Sequence, residues 1–108
     1  MSNNNVPQPN TDPHQLVVSA SKAAAIFPSY DVDRGFMLGA TTSWNPRENS
    51  GDALLIAETL IMSIQVDGNV AKAWIGEDIE TETNPGRNVY ADLRLAIVKL
   101  AARMVGPH

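Results

Sequence analysis

The chain has 108 residues, of which 44% are hydrophobic, and this length and composition fit one small globular domain. It contains no cysteine, which excludes a disulfide framework, a thiolate zinc site and a cysteine nucleophile. The formal net charge of -4 disfavours DNA binding, because phosphate contacts require clustered lysine and arginine side chains.

Residues 1–13 are predicted to form a flexible polar tail. Only Met1 and Val6 are apolar in this segment, so it buries too little surface to offset the entropy cost of ordering. It lacks the basic start and apolar run of a signal peptide, and no later stretch is long enough to cross a bilayer. We therefore expect residues 14–108 to form a single α+β domain in a cytoplasmic protein that does not contact a membrane.

Residues 16–27 predict a first helix that ends at Pro28. Its three consecutive alanines favour helix, although Val17 and Val18 favour strand. The next apolar run, Phe36 to Ala40, is too short to assign by periodicity, and it fits either a strand or a buried connection.

A loop over residues 41–51 leads into a second predicted helix, which ends near Leu60. Asn49 or Ser50 can cap this helix, and Asp52 places a negative charge in the first turn, where the helix dipole favours it. The apolar positions that follow have helical spacing.

The pattern then changes to that of a β-hairpin. The pair Asp67-Gly68 stands between two β-prone runs and predicts a tight turn, because both residue types tolerate positive φ. The expected strands are Met62–Val66 and Val70–Glu77. Trp74 lies in the second strand, and we interpret it as a core residue because tryptophan buries a large area.

Residues 76–86 are interpreted as a solvated strand end and loop. They carry Glu77, Asp78, Glu80 and Glu82, but without the spacing of a calcium loop. A magnesium site built only from carboxylates stays open as an alternative, although no phosphate-binding loop accompanies it.

The last helix is the clearest element, and Asn88 can cap it. Its apolar stripe consists of Val89, Leu93, Ala96, Ile97, Leu100, Ala101 and Met104. We expect Asp92, Lys99 and Arg103 to lie largely off that stripe, and Gly106-Pro107 to end the helix. The order of elements predicts an α+β fold, a small α/β/α sandwich in which helices pack a β-hairpin and the C-terminal helix is long.

The sequence also predicts self-association, as a homodimer or a higher homo-oligomer. A two-stranded ribbon is marginal alone, and the strand Met62–Val66 carries few charges that would block its edge. Leu95 and Val98 widen the apolar arc of the last helix beyond what one thin sheet should cover.

Four segments carry a family resemblance: Trp44-Asn45-Pro46, the helix start with Asn49 and Asp52-Ala53-Leu54, the strand Ala71-Lys72-Ala73-Trp74, and the helix Asp92-Leu93-Arg94-Leu95-Ala96-Ile97. Together they resemble the phage ABA-sandwich family, which includes the NinX-like proteins. The run Ala91-Asp92-Leu93-Arg94 replaces a Pro-Leu-Arg-Ala-like run that often opens the last helix of that family. The resemblance implies a phage or prophage origin, an α/β/α sandwich, and an accessory role in the cytoplasm of an infected host cell, with no catalytic set.

The side chains predict a protein that is not an enzyme and that uses no cofactor and no metal. The two histidines are His14, which we place in the tail, and His108, the last residue, and neither is well placed for catalysis. Without cysteine or a useful histidine, a zinc or iron site is also not expected.

Two groups of residues are candidate ligand-binding residues. Trp44 lies in a polar loop, where its ring either stacks on a planar ligand held by Asn45 and Arg47 or packs in the core. Arg87 and Asn88 precede the last helix, whose free N–H groups either bind an anion or are capped in the ordinary way.

The sequence thus predicts a binding protein for a small anionic, nucleotide-like ligand. Small phage accessory proteins often act on host defence, and some sequester nucleotide signals, so the resemblance implies such a role by analogy. The alternative is a protein-interaction module that inhibits or bridges a host or phage protein. The polar tail, the hairpin edge and the acidic segment Glu77–Glu82 favour this alternative, since acidic surface steers basic partners.

Overall fold

A computed structural model of the chain describes residues 12–84 and 88–105. Its elements in chain order are α1 (Pro13–Ala23), β1 (Ser29–Asp31), β2 (Gly35–Leu38), β3 (Thr42–Ser43), α2 (Ser50–Thr59), β4 (Ser63–Asp67), β5 (Val70–Ile75), β6 (Asp78–Thr83) and α3 (Val89–Met104). Two antiparallel sheets form, in the orders β1-β2-β3 and β4-β5-β6. The predicted α+β class, with a helix-packed hairpin and a long C-terminal helix, is confirmed.

Helix α1 begins and ends earlier than its sequence pattern suggests. Asp12 caps it by accepting the N–H of His14 at 3.0 Å, and Pro13 occupies the first turn, where a missing N–H costs nothing. The helix ends well before Pro28, because Ala25 turns the chain with a φ of 59°. Of the predicted tail over residues 1–13, residues 1–11 lie outside the described part of the chain. Pro13, the last residue of that tail, is helical.

Helix α3 is the element on which α1, α2 and the β4–β6 sheet pack. It contacts α1, α2 and all three strands of the β4–β6 sheet. Asn88 caps it as predicted, by accepting the N–H of Tyr90 at 2.8 Å. The centre of the predicted apolar stripe is buried: Ala96, Ile97, Leu100 and Ala101. Val98 is fully buried as well, whereas Leu95 is partly exposed, so one chain covers part of the wide apolar arc from which self-association was predicted.

The prediction that Asp92 lies off the apolar stripe of α3 is wrong, because this residue is fully buried. It lies in the first turn of α3, where the helix dipole favours an acidic side chain. This position allows a carboxylate to be tolerated on a packed face.

The predicted hairpin joins β4 to β5, and its two turn residues are Gly68 and Asn69. Asp67 ends β4 and pairs directly with Val70. Gly68 has a φ of 63°, as a turn with glycine at its first central position requires. The turn therefore lies one residue later than the Asp-Gly pair suggests.

Residues Asp78–Thr83 form strand β6, where the sequence predicted a solvated strand end and loop over residues 76–86. Its carboxylates alternate with β-branched residues, namely Ile79, Thr81 and Thr83. Glu80 and Glu82 face α3, where Glu82 Oε2 lies 3.0 Å from Lys99 Nζ and Glu80 Oε1 lies 3.6 Å from Arg103 Nη1. The cations of α3 thus compensate the acidic residues that made this segment resemble a solvated loop.

The prediction that Trp74 packs in the core is also wrong. Alternation along β5 directs Ala71 and Ala73 toward α3, and both are completely buried. Trp74 lies on the opposite face, only partly buried, opposite Ile79 and with Lys72 Nζ 6.0 Å from its ring centroid. Helix α3 covers one face of this sheet, which leaves Trp74 on the open face.

The charge pairs between β6 and α3 generate a stability prediction. Burial raises the pKa of Glu80, although Arg103 acts in the opposite direction. A carboxyl with a raised folded-state pKa favours the fold when it is protonated, and this contribution is lost as the pH rises through that pKa. We expect Glu80→Gln to increase the free energy of unfolding at neutral pH, and the gain to vanish at pH values below the ordinary glutamate pKa.

Glu82→Gln is the matched control, since it removes the closer bond to Lys99. We expect it to lower the free energy of unfolding at neutral pH by about 0.5–1 kcal/mol. Urea titrations of both variants at neutral and acid pH measure the difference. A loss of stability in Glu80→Gln equal to that in Glu82→Gln would contradict the assigned effect of burial.

Candidate functional site

A cleft of about 530 Å³ opens between the start of α1, the β1–β3 sheet and the loop of residues 44–49. Three predicted site residues line it: Trp44, Asn45 and Arg47. Further lining comes from His14, Tyr30, Arg34, Phe36, Glu48 and Asp52. Asn88 does not line this cleft, and the predicted residue Arg87 lies outside the described residues.

Hydrogen bonds fix the shape of the loop that forms one wall. Asn45 Oδ1 accepts the N–H of Arg47 at 3.2 Å, and the Asn45 N–H donates to Asp52 Oδ2 at 2.8 Å. Asn49 Oδ1 accepts the N–H of Asp52 at 3.0 Å and so caps α2, as the sequence predicts. The side-chain oxygen of Asn45 therefore holds the loop.

Arg94 lies on α3 and holds this loop against that helix. This role of Arg94 was not predicted from the sequence. Its Nε donates to the carbonyl oxygen of Arg47, and its Nη1 donates to Ser50 Oγ, both at 3.0 Å. The first of these bonds joins residues 47 positions apart in the chain, so no local sequence pattern predicts it. Arg94 is a positioning residue that sets where Arg47 stands in the cleft wall.

Trp44 is buried, with 2% of its surface exposed, and belongs to the core cluster. Its Nε1–H donates to Ser21 Oγ at 2.8 Å, and Ser21 Oγ donates in turn to the Val17 carbonyl oxygen at 2.6 Å. Ser21 thus supplies inside the core the polar partner that an indole N–H needs. Of the two interpretations of Trp44, the structure shows packing in the core, and the ring is not placed to stack on a ligand.

An aromatic cluster on the opposite wall presents an accessible ring. The ring centroids of His14 and Tyr30 lie 4.7 Å apart, those of His14 and Phe36 4.7 Å, and those of Tyr30 and Phe36 5.1 Å. Tyr30 is 55% exposed. His14, which the sequence places in a tail, is therefore a helical residue fixed by ring contacts.

The two cleft arginines differ in their pairing. Arg34 donates through Nη2 to Asp31 Oδ2 at 3.1 Å and through Nη1 to the Ala40 carbonyl oxygen at 2.9 Å. The N–H of Asp33 and the Arg34 guanidinium lower the pKa of Asp31. The Arg47 side chain, by contrast, has a buried Nε that lacks a hydrogen-bond partner within the described part of the chain.

The predicted anion site at the start of α3 shows the ordinary capping arrangement at Asn88. Its side-chain oxygen is occupied by the N–H of Tyr90. Within residues 12–84 and 88–105, no group of three acidic or histidine side chains is placed to hold a metal ion. Over the same residues, no helix has the length and apolar character needed to cross a membrane.

Comparison of the chain with protein-family models, with curated proteins and with solved structures finds no match in any of the three. The resemblance to the phage ABA-sandwich family therefore stays a prediction from the sequence segments that carry it.

The hydrogen bond between Trp44 and Ser21 generates a testable expectation. Trp44→Phe keeps an aromatic ring but removes the buried donor and part of the ring volume. We expect the free energy of unfolding to fall by about 1–3 kcal/mol, measured by urea titration.

Trp74→Phe is the control, because Trp74 lies on the open face of the sheet. We expect this variant to lose less than about 1 kcal/mol. A double-mutant cycle of Trp44→Phe with Ser21→Ala should show non-additive losses. Equal losses at the two tryptophans would contradict the structural role assigned to Trp44.

Proposed function

We propose that this protein binds a small, planar, anionic ligand of nucleotide type in the cleft beside Arg47. The observation that carries the proposal is Arg47, which lines a cleft of about 530 Å³ and whose buried Nε has no hydrogen-bond partner among the described residues. Guanidinium groups bind carboxylate and phosphate through paired hydrogen bonds. An anion in the cleft would pair with this guanidinium, and a small shift of the side chain would let its Nε donate to the same ligand.

The aromatic cluster supplies the second half of the proposed site. Tyr30 takes the stacking role that was one of the two interpretations of Trp44, because the Tyr30 ring is accessible while that of Trp44 is covered. His14 and Phe36 both contact the Tyr30 ring in edge-type arrangements and so hold it in place. The volume of the cleft lies within the range of about 300–1,000 Å³ usual for small-molecule pockets.

We propose binding without turnover. Among the described contacts, the His14 ring is held by Tyr30 and Phe36 rather than by a carboxylate that would orient it as a base. Asp52 Oδ2 is occupied by the N–H of Asn45. A protein of this kind acts by holding its ligand, and the phage resemblance suggests a nucleotide signal of host defence as that ligand.

The alternative function, a module that inhibits or bridges another protein, now rests on a different surface. Glu80 and Glu82 pair with α3, so the acidic segment offers less free charge to a basic partner than the sequence suggests. The observation that favours this alternative is an apolar groove between α2 and β4, lined by Leu54, Leu55 and Ile64 among others.

The ligand proposal is tested by calorimetric titration and thermal-shift measurement with mononucleotides and cyclic dinucleotides. We expect at least one to raise the melting temperature, because a ligand that binds the folded state must stabilise it. Arg47→Gln should weaken binding by about tenfold or more, since it removes a charged hydrogen-bond donor. No stabilisation by any of these ligands at millimolar concentration would refute the proposal.

Lys22→Gln is the matched control, because it makes the same change of charge at an exposed position that does not line the cleft. It should bind like the wild type. Tyr30→Phe should retain binding, whereas Tyr30→Ala should lose it, if the ring acts by stacking. Equal weakening by Arg47→Gln and Lys22→Gln would point to general charge attraction instead of a specific site.

A further inference from the structure

Strand β4 is an open edge of the β4–β6 sheet. It contains one charged residue, Asp67, and no proline, so little on it blocks the approach of another strand. Asp67 and Val70 close a two-residue turn and therefore form a hydrogen-bonded pair. Because hydrogen-bonded pairs alternate along antiparallel strands, Gln65 and Ser63 also direct their backbone N–H and C=O groups toward β5. The backbone N–H and C=O groups of Ile64 and Val66 therefore point outward and are available to a new strand.

An apolar groove of about 450 Å³ runs beside this edge, between β4 and α2. Leu54 and Leu55, which line it from α2, are 45% and 42% exposed. Ile64 lines it from β4 and is also exposed. The groove shares no lining residue with the cleft beside Arg47, so it is a separate surface.

Ile61 adds exposed apolar surface close to the groove. It follows the end of α2 with a φ of 57°, a conformation that glycine or asparagine adopts at lower cost than a β-branched residue. It is also 85% exposed, next in sequence to the groove residue Met62. A surface that covers this side chain would remove apolar area from water that one chain leaves exposed.

We propose that β4 of a second copy of this chain pairs antiparallel with β4 across a two-fold axis at Gln65. The two sheets then form one continuous sheet of six strands. Ile64 lies opposite Val66 of the partner subunit, and their outward N–H and C=O groups form the new hydrogen bonds. Gln65 lies opposite Gln65 of the partner subunit, and these two residues make no backbone hydrogen bonds to each other.

This register makes β4 complementary to itself. Asp67 lies opposite Ser63 of the partner subunit, so no two like charges face each other. The apolar side chains of Ile64 and Val66 meet on the face that borders the groove. The contact is also closed by its two-fold symmetry, which limits assembly to a dimer.

The other edge of the sheet does not have this property. Strand β6 carries Asp78, Glu80 and Glu82 on one face, so pairing with its own copy would set carboxylates opposite carboxylates. The choice of β4 over β6 therefore follows from charge.

A cysteine placed at the two-fold axis tests this pairing, since the natural chain has no cysteine. Residues opposite each other in a pair without hydrogen bonds approach closely enough for a disulfide. Under mild oxidation, Gln65→Cys should form a covalent dimer on the order of tenfold faster than Thr81→Cys, because pairing concentrates the thiols. Thr81 is exposed on β6, in the same sheet, and serves as the control.

Charge exchange at the same position provides a second test that keeps the fold intact, because Gln65 is exposed. Gln65→Glu and Gln65→Lys should each weaken the dimer about fivefold, and mixing the two should restore a heterodimer. Light scattering and sedimentation measure both effects.

Two results would overturn the proposal. The first is a wild-type protein that is monomeric at concentrations on the order of 100 micromolar, even if an added peptide binds the groove. The second is a dimer in which Gln65→Cys crosslinks no faster than Thr81→Cys. Neither result bears on ligand binding beside Arg47, so the two proposals fail independently.

Discussion

The close packing of α3 against two helices and a sheet is the constraint on which the rest of the structure depends. It is possible because small residues stand at the contacts: Ala71 and Ala73 on β5, and Ala96 and Ala101 on α3, are all completely buried. Surfaces lined by alanine approach closely and leave no space for a large ring. The two tryptophans therefore take other positions, Trp44 in the core cluster beside Ser21 and Trp74 on the open face of the sheet.

Those parts of the fold that depend on neighbouring residues could be predicted from the sequence. The caps at Asn49 and Asn88, the hairpin, and the stripe of the last helix each follow from a few adjacent side chains. Strand β6 could not be predicted, because its acidic side chains are acceptable in a strand only beside cations such as Lys99, 17 positions from Glu82. The burial of Trp44 depends likewise on Ser21, 23 positions away.

The candidate site also has a part that could be predicted from neighbouring residues and a part that could not. The loop residues Trp44, Asn45 and Arg47 come together because they are adjacent in sequence, and Arg94 then fixes their place against α3. Asn88 does not join them, because the N–H groups of a helix start can be satisfied by its own cap as readily as by an anion. The aromatic wall could not be predicted either, since α1 and the first sheet bring its rings together only when the chain is folded.

Helix α2 connects the two surfaces to which function is assigned. Its cap and first turn, Asn49 and Asp52, hold the loop that carries Arg47. Farther along, it buries Ala53, Ile56 and Ala57 but leaves Leu54 and Leu55 exposed, so one chain uses only part of its apolar surface. A helix that is apolar on more sides than its own domain covers has surface left for a second contact. The polar start of α2 thus borders the proposed ligand cleft, and its uncovered leucines lie beside the strand edge through which we propose self-association.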